Sequence, residues 1–273
     1  MTLTNLTNKV AVVTGAGSGI GRATALALAE RGARIVAADI DRARVDALAT
    51  ELGDRALLAH TFDVANRAQF TEFADAVHAI VPAVDIVVNN AGVAVGGLFL
   101  DTSLDDWDWL LGVNLRGVVH GCHFFVPKMV ARGTGGHVIN ISSIFGIFPA
   151  PQVTAYVASK FAVLGFSQSL RTELAPHHIG VTAICPGMIN TSIIDGGRMA
   201  GHVANRRAKM MDTFAKRGAP PSLVASTIID ALRTNPAVRT VGRDAWAMHQ
   251  ITRLAPALAH RAGAAISKRF ARK

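Results

Sequence analysis

Cysteine is scarce in this chain of 273 residues. Cys122 and Cys185 are too few for a disulfide framework, and no Cys/His spacing resembles a zinc site, so a reducing compartment and no bound metal are expected. The N-terminal MTLTNLTNK has neither a basic nor an apolar leader segment, and no uninterrupted apolar run reaches the ~18 residues of a membrane span. Both absences point to a cytoplasmic protein. Repeats, low-complexity tracts and Pro/Ser/Gly linkers are also missing. Hydrophobic residues make up 50% of the chain and are spread evenly, which leaves one large domain as the simplest organisation.

Acidic residues are sparse only toward the C-terminus. Residues 1–197 carry 13 Lys/Arg against 16 Asp/Glu, whereas 198–273 carry 15 against 3, so the net charge of +9 resides in the last part of the chain. Such asymmetry points to an anionic partner: a membrane surface, nucleic acid or an acidic substrate.

The most informative stretch is Lys9–Gly21, KVAVVTGAGSGIG. Val10–Val13 is a continuous apolar run, as in a strand buried on both faces, and it enters a glycine-rich turn from which a helix starts near Ile20. Glycines at 15, 17, 19 and 21 let an anion approach the backbone, and the positive end of the helix dipole favours one there. No register satisfies the general dinucleotide pattern GxGxxG; the spacing is Gly15-x3-Gly19-x-Gly21, and a plain glycine turn is the competing reading.

Arg34–Asp39 reads as a second strand. Asp39 lies where dinucleotide-binding folds place an acid that accepts hydrogen bonds from ribose hydroxyls and repels a 2′-phosphate. The alternative is an acid opening the next helix, and Arg42 and Arg44 could soften the preference. Helical periodicity over Asp41–Leu52, a strand over Ala56–Val64, a helix over Asn66–Ile80 and a strand over Asp85–Val88 complete a βαβα alternation. Asp63 would close its strand at the ligand-binding edge, facing adenine or solvent, and Asn89-Asn90-Ala91-Gly92 either packs on a cofactor or forms a turn. Leu104–Arg132 reads as one long helix carrying Asn114, whose amide has a local bonding role in the simplest account. His137–Ile141 is a further strand ending in Ser142-Ser143, followed by a helix over Thr154–Leu174. Tyr156 and Lys160 share one face of that helix. A lysine ammonium beside a phenol is expected to lower its pKa below ~10 and make it a general acid/base, although Tyr-x3-Lys also occurs as a structural pair.

In order and spacing, Thr14-Gly15-x3-Gly19-Ile20-Gly21, Asp39, Asn89-Asn90-Ala91-Gly92, Asn114, Ser143, Tyr156-x3-Lys160 and Pro186-Gly187 resemble the short-chain dehydrogenase/reductase family over roughly residues 7–192. The resemblance implies a single-domain α/β Rossmann fold, a doubly wound parallel sheet of about seven strands in αβα layers. It also implies a homodimer or homotetramer associating through helices 104–132 and 154–174, and hydride transfer between NAD(P) and an alcohol or ketone. It assigns Tyr156 as acid/base, Ser143, rather than Ser142, as anchor of the substrate oxygen, Lys160 as ribose binder, and Asn114 as anchor of a relay water. Cofactor contacts fall on Gly15, Gly19 and Gly21 with Ser18 and Ile20, on Asp39, Asp63 and Val64, on Asn90, Ala91 and Gly92, on Tyr156 and Lys160, and on Pro186, Gly187, Ile189 and Thr191. Ser18 stands where NADP-dependent members often carry a basic residue, which agrees with Asp39 in favouring NAD over NADP.

Residues 190–217 fall in the family's variable substrate lid, where Met199, Met210, Met211 and Phe214 supply apolar surface, and Phe145, Phe148 and Met188 flank the catalytic loops. These favour a lipophilic substrate of steroid, retinoid or fatty type as much as a small polar one. With the main domain ending near residue 245, residues 246–273 read as a basic amphipathic extension, with Ile251, Leu254, Leu258, Ala262 and Ile266 opposite Arg253, His260, Arg261, Lys268 and Arg272. It would lie on the inner face of an anionic membrane or pack on protein; no nucleic acid is expected. A non-catalytic dinucleotide-binding module docked through this tail needs no Ser143, Tyr156 and Lys160 together. A sugar-nucleotide epimerase needs a larger substrate domain and another glycine spacing.

Overall fold

A computed structural model describes residues 2–257, 261 and 264. The seven-stranded sheet has the order β3-β2-β1-β4-β6-β7-β9, all parallel, from β1 (Val10–Thr14), β2 (Arg34–Asp39), β3 (Ala56–Thr61), β4 (Ile86–Asn89), β6 (Gly136–Ile141), β7 (Ile179–Pro186) and β9 (Val238–Val241). A separate two-stranded pair joins β5 (Val95–Gly96) to β8 (Arg198–Met199).

Strand alternation sorts the core into two layers. Ala11, Val13, Ile35, Ala37, Ile86, Val88, Ile139 and Ile184 face α1 (Gly19–Ala29), α2 (Arg42–Leu52) and, through Val224 and Ile228, helix α9 (Pro221–Thr234). Val10, Val12, Val36, Val87, Val138 and Val181 face the other way, toward Phe70 and Phe73 of α3 (Arg67–Ile80) and Phe125 and Met129 of α5 (Gly117–Arg132). Central strands therefore read as unbroken apolar runs because both faces are covered. The chain leaves β1 toward β2 and β3, then returns to β4 on β1's other side. That reversal opens a crevice at the carboxyl ends of β1 and β4.

Two expectations need correction. The strand read as Ala56–Val64 stops at Thr61, because Asp63 turns the chain: its Oδ1 accepts from Ala65 N at 2.9 Å and its own N–H donates to Gln69 Oε1 at 2.9 Å. The single helix read over 104–132 is α4 (Leu104–Leu111), a wide π-turn at Gly112–Arg116, and α5. The π-turn centres on Asn114, whose fully buried amide is held by Val93 and Ser159 rather than by its own helix.

Helix α6 (Thr154–Leu174) packs on β7. Beyond it lie α7 (Gly201–Ala204), α8 (Arg207–Arg217) and α10 (Arg243–Leu254). Helix α10 begins before the expected extension at 246 and buries Ala245, while Met248 packs on Ile144, Ile147 and Phe148. Leu258, His260, Ala262, Ile266, Lys268 and Arg272, part of the amphipathic reading, lie outside the described residues. Among the described residues no helix is long and apolar enough to cross a membrane.

Helix α5 reaches the sheet through Gly121, where a Cβ would fall on the side-chain oxygen of Asn89 inside a buried Asn89–Asn140–Ser167 hydrogen-bond chain. Gly121→Ala is expected to destabilise the fold by about 1–3 kcal/mol in urea unfolding, the cost of overpacking a full core. Gly165→Ala, with open space around its Cβ, should be neutral or stabilising.

Candidate active site

Thr14 ends β1, and its hydroxyl accepts from Asn90 N at 3.0 Å and Ala91 N at 3.2 Å. Asn90 Nδ2 in turn donates to the carbonyls of Thr14 at 2.9 Å and Gly15 at 3.1 Å. The amide of Asn90 is thus taken up in binding the end of β4 to the glycine turn. Gly15 has φ 63° and Gly19 φ 50°, a left-handed backbone that favours glycine, and a Cβ on Gly21 would collide with Gly15 O. Ser18 occupies the N-cap of α1 in extended conformation without capping it, and no acid sits in the first turn, so the positive helix end stays uncompensated. Thr191 arrives over this helix start, its methyl 3.1 Å from where a Gly19 Cβ would stand. Between them lies an open surface cleft lined by Gly19, Arg22, Thr191, Ser192 and Ser222 among others. A bare glycine turn, an open helix N-terminus and an adjoining cleft fit a diphosphate.

Asp39 Oδ2 accepts from Gly17 N at 2.7 Å and Oδ1 from Asp41 N at 3.0 Å, which fixes the carboxylate beside the turn. Arg42 pairs with Asp46 and Arg44 with Asp41, so both arginines are drawn to neighbouring acids on their own helix and its cap. Val64 is buried, and its carbonyl bonds His120 Nδ1 at 2.9 Å. His120, which sequence reasoning missed, therefore positions the Asp63–Val64 turn.

Ser143, Tyr156, Lys160 and Asn114 converge at the carboxyl edge of β4 and β6. Ser143 Oγ accepts from Phe145 N at 3.1 Å and lies near enough to the Tyr156 hydroxyl to favour its ionised form. Ser142 turns away and donates to Lys160 O at 2.8 Å. Lys160 Nζ donates to Ile141 O at 3.0 Å and lies 5.6 Å from the centre of the Tyr156 ring. A Cβ on Gly92 would touch both Lys160 Nζ and Asn114 Oδ1. Asn114 holds Val93 N and O at 2.8 and 3.0 Å and donates to Ser159 Oγ at 3.1 Å; Ser159 then donates to Tyr156 O at 2.8 Å. Ser159, also missed from sequence, ties Asn114 to the helical turn that presents Tyr156.

The expected lowering of the Tyr156 pKa is not what this geometry produces. Burial pushes the phenol up to about 12, with the Ser143 hydrogen bond acting the other way. Burial likewise lowers Lys160 to about 8, against a smaller rise from Cys185. Lys160 faces the Ile141 carbonyl, so its charge does not offset the desolvation of the phenol.

Phe145 meets Tyr156 edge-on at 6.4 Å, while Phe148 is buried in the cluster under α10. Met188 is half-buried. Ile189 is buried and bridges to Ala219. Trp107 and Trp109 of α4, not singled out from sequence, pack with Val93, Leu110, Ala155 and Tyr156. The segment expected to form a lid is fastened there. Arg198 stacks 4.1 Å from the Trp109 ring and reaches Asp106 at 3.2 Å, and His202 meets Gln152 at 2.7 Å. The remaining lid helix, α8, buries none of its residues.

The sequence pattern of the short chain dehydrogenase family matches residues 9–198. This chain belongs to the short-chain dehydrogenase family. It is 43% identical over 252 residues to an oxidoreductase of Mycobacterium tuberculosis called EphD, covering 89% of this chain but 43% of that protein, so it spans less than half the length of that relative. An M. tuberculosis oxidoreductase called SadH is 37% identical over 92% of both chains. Among solved structures, a short-chain dehydrogenase/reductase from Burkholderia phymatum in complex with NAD superposes with TM-score 0.87 at 28% identity, covering 94% of this chain and 96% of the other. A 3-ketoacyl-(acyl-carrier-protein) reductase from Brucella melitensis complexed with NADH superposes with TM-score 0.74 at 29% identity over 86% and 97%. The family's use of a nicotinamide cofactor agrees with the built glycine turn.

Tyr156 is the chain's single tyrosine, so its ionisation can be read without overlap from another phenol. Ultraviolet titration of the free protein should show the phenolate forming near pH 12 rather than near 10.

Proposed function

We propose that this protein is an NAD-dependent oxidoreductase acting on CH–OH groups and the corresponding ketones, with Tyr156 as general acid/base. The observation that carries this reading is the convergence of Ser143, Tyr156, Lys160 and Asn114 on the crevice that the glycine turn also borders. Gly15, Ser18, Gly19, Ile20 and Gly21 would hold the cofactor's diphosphate, Asp39 its ribose hydroxyls, Asp63 and Val64 its adenine. Asn90, Ala91, Gly92, Pro186, Gly187, Ile189 and Thr191 would frame the rest, with Lys160 and Tyr156 at the second ribose. When bound, the nicotinamide supplies the hydride acceptor or donor.

The protein's own part is proton transfer and orientation. Ser143 holds the substrate oxygen beside the phenol, and Tyr156 exchanges the proton of that oxygen. Burial favours the neutral phenol, which gives its proton to the substrate oxygen in carbonyl reduction and takes it back in alcohol oxidation. Asp39 favours NAD over NADP because a 2′-phosphate would meet a carboxylate already fixed by two backbone amides. Phe145, Met188, Trp107 and the methionines of the lid support a lipophilic substrate. Association into a homodimer or homotetramer is supported by exposed Val119 on α5 and Phe161 on α6.

A panel of alcohols and ketones from short and polar to steroidal, retinoid and fatty, run with NAD(H) and NADP(H), tests this. Turnover of lipophilic members with NAD(H) is expected, and Tyr156→Phe should lose at least about 10²-fold in kcat; wild-type turnover by that variant would remove Tyr156 from the chemistry.

Contact with an anionic membrane, at the inner face of a bilayer, is the second reading, and the outer face of α10 favours it. Trp246, Ile251 and Leu254 are exposed there beside Arg243 and Arg253, in the strongly basic part of the chain. Co-sedimentation with anionic vesicles at low salt is expected, at about 1 kcal/mol per basic residue near the surface, and should vanish at high salt. Equal binding to neutral vesicles, or none to anionic ones, would contradict it.

A further inference from the structure

We infer that Asp244, at the start of α10, is a positioning residue for the turn that follows β7. This rests on the proposed cofactor site, which the same turn borders through Ile189 and Thr191. Residues 187–190 are held from two sides. Gly187 N donates to Val241 O at 2.9 Å and Met188 N to Asp244 Oδ2 at 3.1 Å; Ala219 N donates to Met188 O and Asn190 N to Ala219 O, both at 2.9 Å. Of these four bonds, only that of Asp244 uses a side chain.

The carboxylate has glycine on both sides. A Cβ on Gly187 would collide with it, and Gly242, the N-cap of α10 with φ 98°, lies against Oδ1. Two positions with no side chain let the carboxylate lie directly on the turn. One residue further, Ala245 is buried with Ile144, Ile147 and Phe148, in the loop that follows Ser143. The first turn of α10 therefore holds both loops that frame the catalytic crevice. From α10 the Ser143 loop is held by packing, and the 186–191 turn by the one Asp244 hydrogen bond, which adds to its three backbone bonds with Val241 and Ala219. Thr191, at the far end of that turn, overlies Gly19 at the N-terminus of α1. Releasing Met188 N–H would let this segment drift, and a displacement of about 1 Å is enough to cost a site of this kind one to two orders of magnitude.

An acid in a first helical turn also has a simpler use, stabilising the helix dipole. Asparagine separates the two roles, since it keeps an acceptor for Met188 N–H but carries no charge. Asp244→Ala and Asp244→Asn, made in the full chain, are compared by amide exchange at Met188, by NADH affinity from fluorescence and by thermal unfolding. The expected result for Asp244→Ala is about tenfold faster Met188 exchange and about tenfold weaker NADH binding, the loss of one hydrogen bond, with Asp244→Asn close to wild type in both. If Asn behaves like Ala, or if Ala leaves Met188 exchange unchanged, the positioning role is wrong. Should Asp244→Ala unfold, the Asn variant alone decides, because only the dipole role predicts that it too is destabilised. Failure of the wild-type chain to bind NADH would count against the proposed cofactor site instead, and Met188 exchange would still decide the role of Asp244.

Discussion

The contact between the glycine turn after β1 and the segment after β4 is the constraint on which the rest of the site depends. These segments are neighbours because the sheet reverses direction between β1 and β4. Thr14 and Asn90 bond them to each other through four hydrogen bonds, and Gly15 and Gly21 admit no side chain at the junction. The glycine turn and the open start of α1, which fit a diphosphate, hang from that junction. Helix α1 points its N-terminus into it, and Gly92 leads from it to Lys160 and Asn114.

Burial sets the electrostatics of the Tyr156–Lys160 pair. A phenol and an ammonium placed near each other in water would stabilise each other's charges. Here Lys160 is buried and Tyr156 half-buried, and the ammonium is directed at a backbone carbonyl. Desolvation therefore dominates, moving Tyr156 toward the neutral phenol and Lys160 toward the neutral amine. What positions them is a relay of ordinary hydrogen bonds. Asn114 reaches Ser159, Ser159 reaches the Tyr156 carbonyl, and Ser142 reaches that of Lys160.

Much of this was legible in the sequence where a local pattern had only one use. The unbroken apolar runs of β1, β2 and β4, the 3.6-residue spacing of α3 and the bounds of α6 follow from patterning alone. β7 and β9 entered only through the family resemblance, which implied seven strands without placing the last. The π-turn was invisible because its cause, the partners of Asn114, lies in distant segments. The sign of the Tyr156 shift was misread for a similar reason. Spacing on a helix shows that two side chains share a face, but not how much water each loses or where the lysine points. Asp244, His120 and the two tryptophans of α4 have no motif around them, and their roles exist only in the folded chain.

If the site at the β1–β4–β6 edge works as proposed, hydride passes directly between a carbinol carbon and a nicotinamide. The most direct measurement is the fate of the label when an alcohol deuterated at its carbinol carbon is oxidised in the presence of NAD⁺, with the product cofactor analysed by NMR. Direct transfer in a single fixed geometry places deuterium at C4 of the nicotinamide on one face only. Alcohol consumed with the label released to water, or label spread over both faces, would contradict it.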